Sequence, residues 1–306
     1  MTTLAKYVPT FGQYLLQRFG ERVHKIALDS TFTCPNRDGS KGQGGCTFCN
    51  NISFSPNSRR PKPICEQIEA GRQVIRKRTG ALKYLAYFQA YTNTYSSVEH
   101  LAQLYGKALA ETDVLGLAIG TRPDCVPNDV LDLLAGYQAE GYEIWLELGL
   151  QSAFDATLER INRGHGFAEY EDATSRARAR GLKVCTHMIA GLPGETARHS
   201  RETLQRIIEV GTDGLKLHPL HVVKGTQLAN TWRQGDYQPL TLHEYVQIAA
   251  DLVELAPPEI SWHRLTGTAS ENVLLAPSWC SQKWRVLNTI TRELQKRSRR
   301  SCRQVA

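Results

Sequence analysis

The sequence predicts an α/β fold in which βα units repeat around a parallel sheet. Short β-branched or aliphatic runs alternate with longer helical patterns from residue 24 to residue 265, as is typical of repeated βα units. Glycines stand where the helices should end, at Gly80, Gly141, Gly181 and Gly211, and glycine readily takes the left-handed conformation that ends a helix. The pattern fits a closed barrel or an open curved sheet, and periodicity does not distinguish the two.

Six strands are predicted along the chain, and a seventh is expected at the sheet edge. The runs are VHKIAL (Val23–Leu28), KYLAYF (Lys83–Phe88), VLGLAIG (Val114–Gly120), YEIWLELGL (Tyr142–Leu150), LKVCTHMIA (Leu182–Ala190) and GLKLHPL (Gly214–Leu220), followed by EISWHRL (Glu259–Leu265). Apolar residues at three- and four-residue spacing predict helices between them. These helices cover Ile64–Lys77, Val98–Glu111, Asp129–Ala139, Asp155–Ile161, Ala168–Arg180, Thr196–Val210 and Leu242–Leu255.

A Gly-rich loop directly after the first strand carries Cys34, Cys46 and Cys49 in the run CPNRDGSKGQGGCTFCNN. Three thiolates can hold an iron-sulfur cluster and leave one iron open to a reacting ligand. Zinc is the alternative, because Cys-x-x-Cys is also half of a structural zinc site. A redox dithiol at Cys46 and Cys49 is a third interpretation. The remaining cysteines stand singly and offer no second pair: Cys65, Cys125, Cys185, Cys280 and Cys302.

Polar or small-residue runs follow four further strands. They are FQAYTNTY, GTRPDC, GLQS and HMIAGLPGET, after the second to fifth strands. Ordinary turn chemistry explains any one of them. Because loops after the strands build the active site of parallel α/β barrels, we expect the four runs and the cysteine loop to form the wall of one site.

The composition is that of an ordinary globular protein, with 306 residues, 41% hydrophobic and 22% charged. No apolar run is long enough to span a bilayer, and the first twenty residues lack the pattern of a secretory signal. We therefore expect a cytoplasmic protein with no membrane partner. In that reducing compartment eight cysteines are expected to be thiols or metal ligands.

The formal net charge is +7, and part of the excess lies in the run KRSRRSCR at residues 296–303. Such a run can bind phosphates and release their counterions. A solvated helix end is the alternative. Trp279, Lys283, Trp284 and Arg285 add a possible surface for stacking and phosphate contact.

Taken together, the motifs resemble those of radical S-adenosylmethionine (SAM) enzymes, and within that superfamily the radical domain of the catalytic subunit of Elongator and its shorter bacterial relatives. The matching stretches are the cysteine loop, TRPD (121–124), ELGLQS (147–152), INRGH (161–165), KVCTHMIAGLP (183–193), GLKLHP (214–219) and VKGTQLANTWRQGDY (223–237). The resemblance implies a partial (βα)6 TIM-like barrel. It also implies an N-terminal helical segment (1–22), a radical SAM core (23–265) and a short basic helical C-terminal extension (266–306).

Two features depart from the family pattern. The usual spacing is Cys-x3-Cys-x2-Cys, whereas eleven residues separate Cys34 from Cys46, so the loop more closely resembles a bacterial subfamily with CPNRDG and GGCTFCN in the same register. Elongator's catalytic subunit also has an acetyltransferase domain after the radical domain. Only about forty residues follow the last predicted strand, so the resemblance does not extend to acetyl-coenzyme A chemistry.

The resemblance implies two cofactors. The amino and carboxylate groups of SAM bind the open iron of a [4Fe-4S] cluster held by Cys34, Cys46 and Cys49, and the reduced cluster cleaves SAM to a 5′-deoxyadenosyl radical. Phe48 would pack over the cluster. Residues expected to contact SAM are Gln89 and Asn93 near its amine, Gln151, Ser152 and Arg163 near its ribose or carboxylate, and Ile189 and Gly191 near its adenine.

The resemblance also implies a substrate class. We expect modification of tRNA at C5 of the wobble uridine, with a low-potential electron donor such as flavodoxin or ferredoxin. A radical SAM enzyme acting on a small metabolite is one alternative, because GLPGET also resembles oxygen-independent coproporphyrinogen oxidases. A non-enzymatic iron-sulfur or zinc protein that binds nucleic acid is the other. His187, His218 and His221 are candidates for proton transfer or for the core, while Asp124 and Glu147 are candidates for polar contacts or ion pairs.

Overall fold

The computed structural model describes residues 3–30, 32–50 and 62–304, and it contains one sheet of seven parallel strands. These seven strands lie side by side in the order in which they occur along the chain. The sheet curls into a half-barrel, which confirms the predicted partial TIM-like barrel. Its strands are β1 Val23–Leu28, β2 Lys83–Phe88, β3 Val114–Thr121, β4 Glu143–Gln151, β5 Lys183–Ala190, β6 Gly214–Pro219 and β8 Ser261–Arg264.

Ten α-helices lie in the described part of the chain, and those between the central strands cover the outer face of the sheet. The ten are α1 Phe11–Phe19, α2 Ile64–Thr79, α3 Val98–Leu109, α4 Asn128–Ala139, α5 Asp155–Arg160, α6 Phe167–Arg178, α7 Ala197–Val210, α8 Gln227–Gln234, α9 Leu242–Leu255 and α10 Lys283–Gln304. Gly80 ends α2 in the left-handed conformation, with φ of 73°, and its N–H donates to the carbonyl of Arg76. Glycine takes this backbone conformation without steric cost.

Helix α1 closes the N-terminal end of the half-barrel. The ring of Phe11 stacks on His263 of β8 with 3.7 Å between the ring centroids. Just before the helix, the carbonyl of Pro9 accepts a hydrogen bond of 2.7 Å from the N–H of Trp262. The other end of the half-barrel, where the strands end, therefore remains available for a site.

The C-terminal part adds a two-stranded antiparallel sheet, β7 Val222–Val223 with β9 Leu274–Ala276, and the long helix α10. Val286, Ile290 and Leu294 of α10 are buried in the main core. Arg297 ties α10 to α9 through an ion pair of 2.8 Å to Asp251. Among the helices that the structure describes, none has the length and apolarity needed to cross a bilayer.

Candidate active site

The three predicted cluster ligands, Cys34, Cys46 and Cys49, line one cavity of about 270 Å³ at the C-terminal ends of the strands. Cys46 and Cys49 share a turn in which the N–H of Cys49 donates to the carbonyl of Cys46 at 2.9 Å. The Arg37 guanidinium donates to the carbonyl of Cys49 at 2.6 Å. Although eleven residues separate Cys34 from Cys46 in the sequence, the loop folds back so that the three cysteines line the same cavity.

The surroundings of the cysteines fit an iron-sulfur cluster. Burial, followed by the neighbouring Cys46 and Cys34, raises the pKa of the Cys49 thiol, so three thiolates at this place need a cationic centre to hold their charge. The three sulfurs do not all lie within 4.8 Å of one another, a distance that only Glu147, Cys185 and His263 satisfy among the described residues. Three cysteines in one loop supply the three thiolates of an iron-sulfur cluster with one open iron, whereas a closed structural zinc site takes four protein ligands.

Hydrogen-bond donors converge on the sulfur of Cys46. Arg163 Nη1 lies 3.5 Å from Cys46 Sγ, and Arg163 Nη2 donates to the carbonyl of Gly149 at 2.5 Å. The amide of Asn36 lies 3.8 Å from the same sulfur and donates to the carbonyl of Asn162 at 2.5 Å. The motif INRGH is thus explained by its position, because it fixes the cysteine loop to the end of β4.

Backbone strain is concentrated around this cavity. In the described residues, three non-glycine residues have positive φ: Tyr91 at 63°, Gln151 at 82° and Asn162 at 50°. Tyr91 and Gln151 line the cavity, and the side chain of Asn162 donates to the carbonyl of Gly45 in the cysteine loop at 2.9 Å. Such conformations cost free energy and cluster at functional sites.

Of the residues predicted to contact SAM, Gln89, Gln151, Arg163 and Ile189 line the same cavity as the cysteines. They come from the C-terminal ends of β2, β4 and β5 and from the turn after α5. Their side chains therefore share one space, as the sequence predicted for a site wall.

The other three, Asn93, Ser152 and Gly191, are not among the described residues that line the cavity. The Asn93 amide donates to the carbonyl of Gly120 at 2.7 Å, and the Ser152 hydroxyl donates to Glu195. A Cβ on Gly191 would lie 2.9 Å from Leu240 Cγ. The structure places these residues behind the wall, where they hold the loops in place.

Three histidines form another part of the wall. His187, His218 and His221 line the cavity, and 6.1 Å separates the ring centroids of His187 and His218. Burial lowers the pKa of His187 to about 4 and that of His221 to about 4, and it lowers the pKa of His218 well below its usual range. All three are neutral near pH 7 and can accept or donate hydrogen bonds there.

Glu147 forms a buried ion-pair network inside the barrel, below the cavity. Its side chain is fully buried, lies 2.5 Å from Lys25 Nζ, and also contacts Lys216. Although burial acts to raise the pKa of Glu147, the two lysines hold it well below its usual range. Two residues of the cavity wall join this network. Lys216 donates a hydrogen bond of 2.8 Å to the Tyr87 hydroxyl, and His187 lies 3.0 Å from the Glu147 carboxylate. Because its carboxylate is taken by two ammonium groups, the Glu147–Cys185–His263 group is not a metal site.

Asp124 is also an ion-pair residue. It lies 2.9 Å from Arg122 Nε and 2.6 Å from Lys41 Nζ. Burial acts to raise its pKa, but hydrogen bonds from these partners lower the pKa to about 2. Asp124 therefore stays ionised and fixes Arg122, whose Nη1 donates to the carbonyl of Arg163 at 2.8 Å.

Three further residues of the site were not predicted from the sequence, namely Asn36, Arg37 and Arg264. Asn36 and Arg37 lie in the CPNRDG part of the loop, and their closeness to Cys34 in the sequence could have identified them as residues of the site. Arg264 ends β8 and lines the cavity. No signal in its own segment distinguishes it from other arginines.

Comparison with known proteins agrees with this geometry. A half-barrel of parallel strands with a cysteine-lined cavity at the strand ends defines an α/β enzyme class whose site lies in the loops. The family model described as the Radical SAM superfamily matches residues 31–207, and the Radical_SAM C-terminal domain matches residues 212–296. The chain belongs to the radical SAM superfamily, and its cofactors are a [4Fe-4S] cluster and SAM.

Some relatives match most of the chain, and others match about half of it. The protein YhcC of Escherichia coli K12 is 49% identical over 92% of this chain and 90% of its own length. Elongator complex protein 3 of Schizosaccharomyces pombe is 33% identical over 51% of this chain and 28% of its own. The tRNA uridine(34) acetyltransferase of Dehalococcoides mccartyi is 31% identical over 51% and 34%.

A solved structure shares the fold at low identity. Elp3 of the archaeon Methanocaldococcus infernus superimposes with a TM-score of 0.65 at 19% sequence identity, over 90% of this chain and 63% of that one. This likeness concerns the fold. It extends the correspondence beyond the half of the chain that aligns by sequence to the S. pombe and D. mccartyi proteins.

Proposed function

We propose that this chain is a radical SAM enzyme that modifies tRNA at C5 of the wobble uridine. In this proposal Cys34, Cys46 and Cys49 hold the [4Fe-4S] cluster. Gln89, Gln151, Arg163 and Ile189 contact SAM, and they do so without Asn93, Ser152 and Gly191.

The observation that carries the tRNA part is the similarity to proteins named for Elongator and for uridine 34 of tRNA. About half of this chain aligns with each of them at 31 to 33% identity, and this chain spans about a third of their length. The shared part supports a common radical reaction, whereas the rest of those proteins has no counterpart in the alignment. We therefore do not extend acetyl transfer to this chain.

A basic stripe on helix α10 supports an RNA partner. We define it as Arg285, Arg292, Lys296 and Arg299, all exposed and separated by seven, four and three residues. At 3.6 residues per turn these positions fall on one line, about 21 Å long at 1.5 Å per residue. Such a line of cations suits consecutive phosphates of a nucleic acid strand. The side chains of residues 300–303, which complete the predicted basic run, lie outside the described residues.

An aromatic residue stands beside the basic stripe. The side chain of Trp284 is 64% exposed, unusually for so large an apolar group. An exposed indole next to arginines can stack on an unpaired base. Trp279, by contrast, is buried against Tyr245 with 5.2 Å between ring centroids, so it belongs to the core.

When bound, the cluster and SAM supply a 5′-deoxyadenosyl radical. The chain's own residues position and shield these cofactors. Arg163 and Asn36 direct N–H groups at Cys46 Sγ, and donors of this kind stabilise negative charge on sulfur. Phe48 packs against a hydrophobic cluster that contains Leu220 and Leu228, and in this position it shields the cysteine side of the cavity from water. Neutral His187 and His218 are placed to hold or move a proton at the opposite wall.

The same proposal includes a cytoplasmic location and a low-potential electron donor such as ferredoxin or flavodoxin. A reducing compartment keeps the cluster in its reduced form, and the donor supplies the electron that reduces the cluster for each reaction.

The test is a comparison of modified nucleosides. Total tRNA from cells with and without the gene is digested and analysed by mass spectrometry. The deletion strain is complemented with wild type, Cys46→Ser and the matched control Cys65→Ser, since Cys65 is exposed on α2. We expect one modified uridine to disappear in the deletion and to return with wild type and Cys65→Ser only. No change in any modified uridine would remove the tRNA claim.

A small anionic metabolite is the second candidate. It is favoured by one observation, the absence of acidic side chains among the described residues of the cavity wall. A deletion strain with unchanged tRNA would direct the search to that class.

A further inference from the structure

The charges around the cavity are unbalanced. Four arginines line it, and three of them have partners. Arg37 donates to the carbonyl of Cys49, Arg122 pairs with Asp124, and Arg163 donates to the carbonyl of Gly149. Among the residues that the structure describes, the side chain of Arg264, which is half-buried in the cavity wall, has neither a hydrogen bond nor an ion pair.

The barrel interior next to Arg264 has an excess of positive charge. Arg264 lies opposite Lys216 in the register of β6 and β8. Lys216 and Lys25 share the single carboxylate of Glu147, and the neighbouring histidines are neutral. Three cations therefore face one carboxylate, although removing charge from water requires a compensating partner.

Hydrogen-bonding groups without partners accompany this charge. Nε2 of His221 is buried and, among the described residues, makes no hydrogen bond. His218 and Gly267 line the cavity beside it, and a Cβ on Gly267 would lie only 2.5 Å from His218 Nδ1. The loop after β8 therefore approaches the two imidazoles closely because residue 267 has no side chain.

We propose that Arg264, flanked by His218 and His221, binds an anionic group of the substrate, a carboxylate or a phosphate, at the wall formed by β6 and β8. This inference rests on the proposed function in one respect, that the substrate reacts in this cavity. A nucleotide would supply a phosphate and a small metabolite would supply a carboxylate. Arg264 is matched to either, because a guanidinium binds both in a two-pronged geometry.

The experiment measures anion binding rather than turnover. Anaerobic, cluster-loaded wild type, Arg264→Gln, Arg264→Lys and the control Arg233→Gln are melted with increasing phosphate, acetate or uridine 5′-monophosphate, with chloride holding the ionic strength constant. Arg233 is exposed on α8 and bonds only Asn230 among described residues. A ligand that binds the folded state raises the melting temperature in a saturable way.

We expect at least one of these anions to stabilise wild type and Arg233→Gln. Its apparent affinity should fall by about tenfold or more in Arg264→Gln and stay within about threefold in Arg264→Lys. Without added anion, Arg264→Gln should melt no lower than wild type, because it removes an unbalanced charge. An equal response in wild type and Arg264→Gln, no response in wild type, or a lower melting temperature of anion-free Arg264→Gln would overturn the proposal.

Two further comparisons distinguish a substrate site at Arg264 from a SAM site, and a nucleotide substrate from a carboxylate substrate. If Arg264 instead binds the carboxylate of SAM, the affinity for SAM falls in Arg264→Gln, and that result overturns the substrate site. Stronger binding of phosphate and uridine 5′-monophosphate than of acetate supports a nucleotide source, and the reverse order supports a carboxylate source. The anion-binding experiment uses no tRNA. If the deletion strain showed unchanged tRNA modification, the proposed function would be refuted, but anion binding at Arg264 would still stand.

Discussion

Arg163 directs one guanidinium nitrogen at the sulfur of Cys46, with 3.5 Å between Nη1 and Sγ, while another donates to the carbonyl of Gly149 at 2.5 Å. Gly149 makes this contact possible, because a Cβ there would lie 2.8 Å from Arg163 Nη2. One side chain therefore joins Cys46, the proposed cluster ligand, to the end of β4 and the ELGLQS motif. This relationship explains why INRGH and ELGLQS occur together in the sequence.

Arg163→Gln is predicted to lower the reduction potential of the cluster. Loss of a positive donor near the Cys46 thiolate removes about 1 kcal/mol of stabilisation from the more negative reduced state, which corresponds to about 40 mV for one electron. Arg163→Lys should restore part of the shift, and Arg160→Gln, an exposed control three residues earlier in α5, should cause none. Anaerobic redox titration measures all four proteins. An unchanged potential in Arg163→Gln would show that the contact does not tune the cluster.

Glu147→Leu is predicted to reduce the free energy of unfolding by about 3–5 kcal/mol, because it leaves the ammonium groups of Lys25 and Lys216 buried without a counter-charge. Lys216→Met should cost less, since Glu147 keeps Lys25 at 2.5 Å. The exposed control Glu171→Gln on α6 should have no measurable effect. Urea unfolding provides the comparison. A smaller loss for Glu147→Leu than for Lys216→Met would contradict the assigned network.

The basic stripe predicts a salt-dependent affinity for tRNA. The double variant Arg292→Gln with Arg299→Gln should make the slope of log affinity against log salt concentration shallower by about 1.4 to 1.8, because each lost phosphate contact removes about 0.7 to 0.9. The control is the double variant Arg198→Gln with Arg233→Gln, two exposed arginines on other helices. Filter binding over a range of salt concentrations measures both. Equal slopes for the two double variants would assign the RNA to another surface.

Acid is predicted to destabilise the protein through its buried histidines. Burial lowers the pKa of His221 from 6.5 to about 4, so between these values the unfolded chain binds a proton that the folded chain does not. The stability is fully present above pH 6.5 and is lost as the pH falls towards 4. Between pH 6.5 and about pH 5 the loss is at most about 2 kcal/mol for such a histidine.

The matched variants are His221→Asn and His100→Asn, which is exposed on α3. Urea unfolding under anaerobic conditions is compared at about pH 7.5 and about pH 5. His221→Asn should lose less stability on acidification than wild type, while His100→Asn should follow wild type. A parallel pH dependence of all three proteins would mean that His221 is not buried in the neutral form.

The sheet was largely predictable from the sequence, because buried parallel strands are continuous apolar runs bounded by turn residues. The first two strands, Val23–Leu28 and Lys83–Phe88, have the predicted bounds. The expected edge strand is present as Ser261–Arg264, parallel to β6. The elements that were not predicted are the short helix α8 and the strands β7 and β9. These two strands pair with each other although about fifty residues separate them in the chain.

The site was predicted less completely, for a geometric reason. Neighbouring residues at a strand end point to opposite sides, so Gln151 lines the cavity whereas Ser152 turns towards Glu195. A motif that contains both does not show which one faces the ligand. Arg264 was missed because the histidines beside it in the cavity, His187, His218 and His221, lie more than forty residues away in the chain, and only the curled sheet brings them together.

The central claim, that Cys34, Cys46 and Cys49 hold a cluster that cleaves SAM, is tested most directly by anaerobic SAM cleavage. Reconstituted wild type, Cys34→Ser, Cys46→Ser, Cys49→Ser and the control Cys65→Ser receive SAM and a strong reductant, and 5′-deoxyadenosine is quantified. Wild type and Cys65→Ser should produce it, and each of the three loop variants should produce none above background. Undiminished production by a loop variant, or none by cluster-loaded wild type, would contradict the account.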